Sequence, residues 1–116
     1  MTAAFVGVMV VAPSASAESS PSGCPRGYFC AYSGYYQSGA VLLKTSGNWS
    51  GTVYGVHSLF NNGYTDPGAD HVDYRFLWGG GGPYTECLHF NPGPGDYKVN
   101  WGSEITLTGV TWRDEC

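Results

Sequence analysis

Three histidines (His57, His71, His89), the nearby acids Asp70, Asp73 and Glu86, and four cysteines (Cys24, Cys30, Cys87, Cys116) are the side chains best equipped for chemistry. Zinc needs ligands that converge at short spacing, as in H-x-x-H or H-E-x-x-H, and no pair of these histidines is so spaced. They read as surface or strand residues, and no metal is expected. Hydrolysis by a serine needs a nucleophile elbow, which the sequence lacks. The run Gly79 to Gly82 is followed by Pro83, with none of the Lys and Ser/Thr of a phosphate-binding loop. Those glycines read as a hairpin tip, and the chain is expected not to be an enzyme.

The cysteines point to structure instead. An even number in a small exported domain implies two disulfides, with three connectivities open. Cys24 and Cys30 flank Pro25 and Gly27 at a spacing that closes a small loop, and Cys87 and Cys116 then pair by elimination. In the chain-entropy model the short loop contributes roughly 2 kcal/mol and the long one roughly 3 to 4 kcal/mol. A four-cysteine zinc site would call for C-x2-C spacing, which is absent.

Export is written at the N-terminus. An apolar run from Ala3 to Val11 leads through Pro13 to Ala15-Ser16-Ala17, a small-residue triplet of the kind signal peptidase cuts. The run is too short to span a bilayer, and no Lys or Arg precedes it. The expectation is a signal peptide over 1–17, a polar linker over 18–23 and a secreted domain over 24–116, with no membrane span in the mature form.

The elements that must position these residues follow from composition. Of 116 residues, 42% are hydrophobic, 16% aromatic and only 12% charged, with 18 Gly and 7 Pro, which excludes coiled coil and charged disorder. The net charge of −4 comes without a basic stripe, so nucleic acid is not an expected partner. Short strands punctuated by Gly, Asn and Pro are predicted over 28–32, 40–44, 52–60, 73–78, 84–90, 96–101 and 104–112. Tyr74, Phe76 and Trp78 share one face of the fourth, and Ile105 and Leu107 one face of the seventh. Beyond Gly109 the apolar phase shifts to Val110 and Trp112, which predicts a bulge or strand end. The strands fall into two halves with similar grammar, an aromatic corner, a glycine turn and a long returning strand. That pattern predicts an all-β fold of two Greek-key units packed as a sandwich; a monomer is the expectation, though the pattern does not derive it.

The opening Cys24-Pro25-Arg26-Gly27-Tyr28-Phe29-Cys30-Ala31-Tyr32-Ser33-Gly34, with Ser38-Gly39 a short step later, resembles that of small secreted actinobacterial metalloproteinase inhibitors with a βγ-crystallin-like fold. The resemblance implies a thermolysin-like zinc protease as partner, met by a reactive bond between a Cys and an apolar residue with a Phe two further on. Here Glu86-Cys87-Leu88-His89-Phe90 is similar, which makes Cys87-Leu88 the implied bond, flanked by Glu86, His89 and Phe90. The inhibitor pattern places a second Cys five residues after the first, where this chain has Pro92. Crystallin-type units also bind Ca²⁺, but the positions ahead of Ser58 and Thr108 offer too few oxygen ligands, so no cofactor is expected.

In the inhibitory reading Leu88 fills the apolar pocket beyond the scissile bond, the Cys87 carbonyl faces the zinc, and rigidity keeps cleaved ends in place for religation. In the competing reading Glu86 to Phe90 is an ordinary strand with Leu88 and Phe90 in the core. The alternative function is a non-inhibitory crystallin-like module, toxin-like or binding a glycan or protein partner through aromatics such as Tyr35, Tyr36, Trp49 and Trp78.

Overall fold

A computed structural model describes residues 16–116, so the apolar run of the expected leader lies outside the described residues. Six strands form: β1 Phe29–Tyr32, β2 Val41–Thr45, β3 Trp49–Asn61, β4 His71–Trp78, β5 Gly81–Leu88 and β6 Lys98–Arg113. All ladders are antiparallel, and the described residues contain no helix.

The strands join into one sheet of order β2-β1-β3-β6-β4-β5. Its halves mirror each other, with β1, β2 and β3 placed about the centre as β4, β5 and β6 are. This matches the repeat seen in the sequence. In a flat sheet β1 and β4 would stand roughly 14 Å apart, three strand spacings. Yet the rings of Phe29 and Tyr74 lie with centroids 6.3 Å apart. The sheet therefore folds over so that β1 and β4 face each other across one core of Phe29, Ala31, Val56, Leu59, Val72, Tyr74, Phe76, Leu88, Ile105, Leu107 and Val110.

The alternation in β4 holds for Tyr74 and Phe76, which are buried, and fails at Trp78, which is 45% exposed. Trp78 lies at the tip beyond the core, where its indole N–H donates to Ser103 Oγ at 2.9 Å. The hairpin turns on Gly79 and Gly80, whose φ angles of 61° and 79° are what a two-residue turn of this hand requires. The phase shift near Gly109 is a bulge: Arg75 pairs with Gly109 but Phe76 with Leu107, leaving Thr108 over. The two segments predicted over 96–101 and 104–112 prove to be one strand, β6. Gly102 and Ser103 do not end it because the slack appears as a register shift against β3 between Val56 and Ser58. Both disulfides form as paired above, with Cα–Cα distances of 6.0 Å for Cys24–Cys30 and 5.7 Å for Cys87–Cys116.

Candidate functional site

Strand β5 is an edge strand among the described residues: β4 covers one side, and no described strand pairs with the other. Gly82 to Glu86 are exposed, Cys87 is half-buried and Leu88 is buried at 3% exposure. Glu86 accepts a hydrogen bond from the Tyr74 hydroxyl at 3.0 Å. Burial, then the adjacent Glu86 charge and this bond, push the Tyr74 phenol well above its ordinary range. Cys87 is bonded to Cys116 just past the end of β6, so the inner end of β5 is covalently held.

Leu88 lies where the competing reading of this segment puts it, in the core. Leu88 pairs with Val72 and packs in the core, and its carbonyl accepts from Asn61 Nδ2 at 3.1 Å. As folded, its side chain is not offered to a protease pocket. Phe90 is half-buried beyond the strand end, against His71 and His89. The predicted strand over 84–90 is thus shifted to start at Gly81 and end at Leu88.

A polar cluster that the sequence did not announce lies beside this segment. Asn91 is fully buried, and each of its polar groups is occupied. Its N–H donates to the Asn61 carbonyl at 3.1 Å, its carbonyl accepts from Arg26 Nη2 at 2.7 Å, and its Nδ2 donates to Asn62 Oδ1 at 3.3 Å. The remaining partners come from Glu18. The Glu18 N–H donates to Asn91 Oδ1 and Asn91 Nδ2 donates to the Glu18 carbonyl, both at 2.8 Å. The stretch expected to be a linker is therefore held to the domain. Buried asparagines beside turns are common as local caps, and the only hint in the sequence was the pair Asn61-Asn62 at a strand end.

The Glu18 carboxylate accepts from Lys98 Nζ at 2.8 Å and from the Tyr97 hydroxyl at 2.6 Å. The Lys98 bond, then the Tyr97 bond, hold its carboxyl below the ordinary value of 4.5. The same bond, with burial adding to it, pushes Tyr97 up to about 12. A depressed carboxyl stabilises the fold above its unfolded pKa and loses that contribution as pH falls; a raised phenol stabilises below its unfolded pKa and loses it as pH rises. Melting temperature is therefore expected to sag at acid pH below 4.5 and again between pH 10 and about 12. Glu18→Gln should remove the acid shoulder, and an unchanged pH profile in that variant would sink the assignment.

The histidines that lie apart in sequence are partly brought together. His71 and His89 stack edge-on with centroids 4.3 Å apart, and His71 Nδ1 is 2.7 Å from Asp70 Oδ1 in a buried pair. His57 stands elsewhere, its Nδ1 2.9 Å from the Ser33 carbonyl. Among the described residues no group of three or more His, Cys, Asp or Glu is placed to hold a metal ion. Tyr35, Tyr36 and Trp78 are exposed, whereas Trp49 packs against the core. No helix among the described residues is long and apolar enough to cross a membrane.

The described residues thus form a disulfide-stapled all-β domain whose edge strand β5 is covalently held at Cys87. More particularly, residues 17–66 match the model of peptidase inhibitor family I36, in agreement with the resemblance carried by Cys24 to Gly39. No curated protein and no solved structure matches the chain. The match runs from Ala17 past the end of β3 and is the likeness on which a peptidase-inhibitor reading rests.

Proposed function

We propose that the mature chain is a secreted inhibitor of a thermolysin-like zinc metalloprotease, and that the protease meets the free edge of β5. The observation that supports this reading is the geometry of β5: extended, exposed from Gly82 to Glu86 and anchored at Cys87. A protease cleft takes its substrate as an extended chain whose backbone groups pair with an enzyme strand, the mode of β-strand addition. An anchored edge strand supplies that chain with little entropy left to lose. The Cys87-Leu88 bond sits at the inner end of this strand, and its use as the reactive bond requires Leu88 to leave the core.

The test is a titration of the chain starting at Glu18 against zinc and serine proteases, following cleavage of a peptide substrate. Stoichiometric loss of zinc-protease activity is expected, with serine proteases unaffected. Full activity of every zinc protease at excess inhibitor would overturn the reading.

One observation favours a second reading, the glycan-binding module. A cleft of about 410 Å³ lies between Tyr64 and Trp112, with Asp66, Asn48 and Ser46 on its walls. Aromatic faces beside hydroxyl-binding groups suit a sugar ring. Tryptophan fluorescence during titration with soluble oligosaccharides would report it, and a flat response alongside inhibition decides for the inhibitor.

A further inference from the structure

We propose that Asn91, Tyr97 and Lys98 form a receiving site for the chain's own processed N-terminus, and that cleavage between Ala17 and Glu18 completes the contact. Glu18 reaches groups 73 to 80 positions away in sequence. Its main chain makes a two-point pairing with the Asn91 side-chain amide, and its carboxylate takes the Tyr97 hydroxyl and the Lys98 ammonium. Two residues on, Ser20 Oγ accepts from Asn62 Nδ2 at 2.9 Å. Ser16 and Ala17 are exposed, as Glu18 and Ser20 are, but among the described residues they make none of these hydrogen bonds. The contacts begin at the residue that signal-peptidase cleavage would make the first.

Cleavage adds water across the Ala17–Glu18 peptide, leaving a carboxylate on Ala17 and an amine on Glu18 that is protonated at neutral pH. The bond to Asn91 Oδ1 then changes from a neutral amide donor to an ammonium donor, and charge-assisted bonds are roughly twice as strong. Of the nearby cations, Lys98 is already engaged by the Glu18 carboxylate and Arg26 by the Asn91 carbonyl and Asn62 Oδ1, which limits repulsion of the new ammonium. Without Glu18, Asn91 Oδ1 loses the donor it has in this structure while remaining buried, a costly state for a polar atom.

The consequence falls on the loop between β5 and β6. Asn91, separated from Cys87-Leu88 by His89 and Phe90, heads the sequence Pro92-Gly93-Pro94-Gly95, and Tyr97 and Lys98 close it. Glu18 therefore fastens both ends of this loop from outside, and processing strengthens the bond at its Asn91 end. This deepens the inhibitor reading only in its functional consequence, since the clasp itself is a property of the fold.

Hydrogen exchange of the amides of 89–97 and thermal melting test it on chains starting at Glu18, at Ser16 and at Ser22, with Lys98→Met in the first as a variant that keeps the whole mature chain. Loss of the clasp in the Ser22 chain should speed exchange at least tenfold and lower the melting temperature by roughly 5 °C. The Ser16 chain and an N-acetylated Glu18 chain should fall in between, since they keep the contacts but not the charge. Lys98→Met should show part of the loss. Equal exchange in the Ser22 and Glu18 chains, or no effect of Lys98→Met if the Ser22 chain does not fold, would overturn the receiving site. Equal behaviour of the Ser16 and Glu18 chains would overturn the role of processing. Failure of inhibition with these exchange differences intact would count against the protease reading alone.

Discussion

Leu88→Asp is expected to unfold the domain. Leu88 is 3% exposed and packs into the shared core from the end of β5. Removing a buried leucine costs about 2 to 5 kcal/mol, and a carboxylate in its place adds the desolvation of a charge. Together these reach the whole net stability of a small domain, about 5 kcal/mol or more. Thermal melts should show no cooperative transition, or one lowered by tens of degrees. Leu88→Val should cost about 1 kcal/mol, fold normally and inhibit as the parent does. A Leu88→Asp chain with an unchanged melt would remove Leu88 from the core, and a folded Leu88→Val chain that had lost inhibition would move its side chain into the protease pocket.

The legibility of this molecule in its sequence divides along a physical line. Strand signals rest on alternation and glycine punctuation, both local, so β1, β2 and β4 appear within about two residues of their predicted bounds. The bulge beside Gly109 was legible because a phase shift is also local. A Cβ at Gly109 would collide with the Arg75 guanidinium, so the glycine marks a close approach as well as a break. The merging of two segments into β6 was not legible, since whether Gly102-Ser103 ends a strand depends on a partner, β3, that can absorb the slack. Leu88 has the same origin: the local pattern of Glu86 to Phe90 suits a presented segment or a packed strand, and only Val72 and Asn61 decide. The buried network of Arg26, Asn61, Asn62 and Asn91 joins residues up to 65 positions apart. No periodicity encodes such contacts.

Breaking the Cys87–Cys116 bond is the second large effect. Its loop is the longer one, with a separation of 29 against 6 for Cys24–Cys30, and it encloses all of β6. In the chain-entropy model Cys87→Ser with Cys116→Ser costs about 3 to 4 kcal/mol, which for a domain of this size lowers the melting temperature on the order of 15 to 25 °C. The damage should be uneven. Asp114 to Cys116 are exposed, and Arg113 reaches Asp73 by an ion pair at 3.2 Å that is partly open to solvent and worth little alone. The end of β6 therefore frays from β4, and Cys87 loses its anchor while β5 keeps only one neighbour. An edge strand so loosened meets a protease as a flexible substrate rather than a rigid occupant, because cleaved ends that drift apart cannot rejoin. Incubated with a zinc protease that the parent inhibits, the double serine variant should be digested, with early cuts in β5 visible by mass spectrometry, while the parent persists. A folded double variant that inhibited the enzyme as durably as the parent would show that the anchor at Cys87 is not what makes β5 inhibitory.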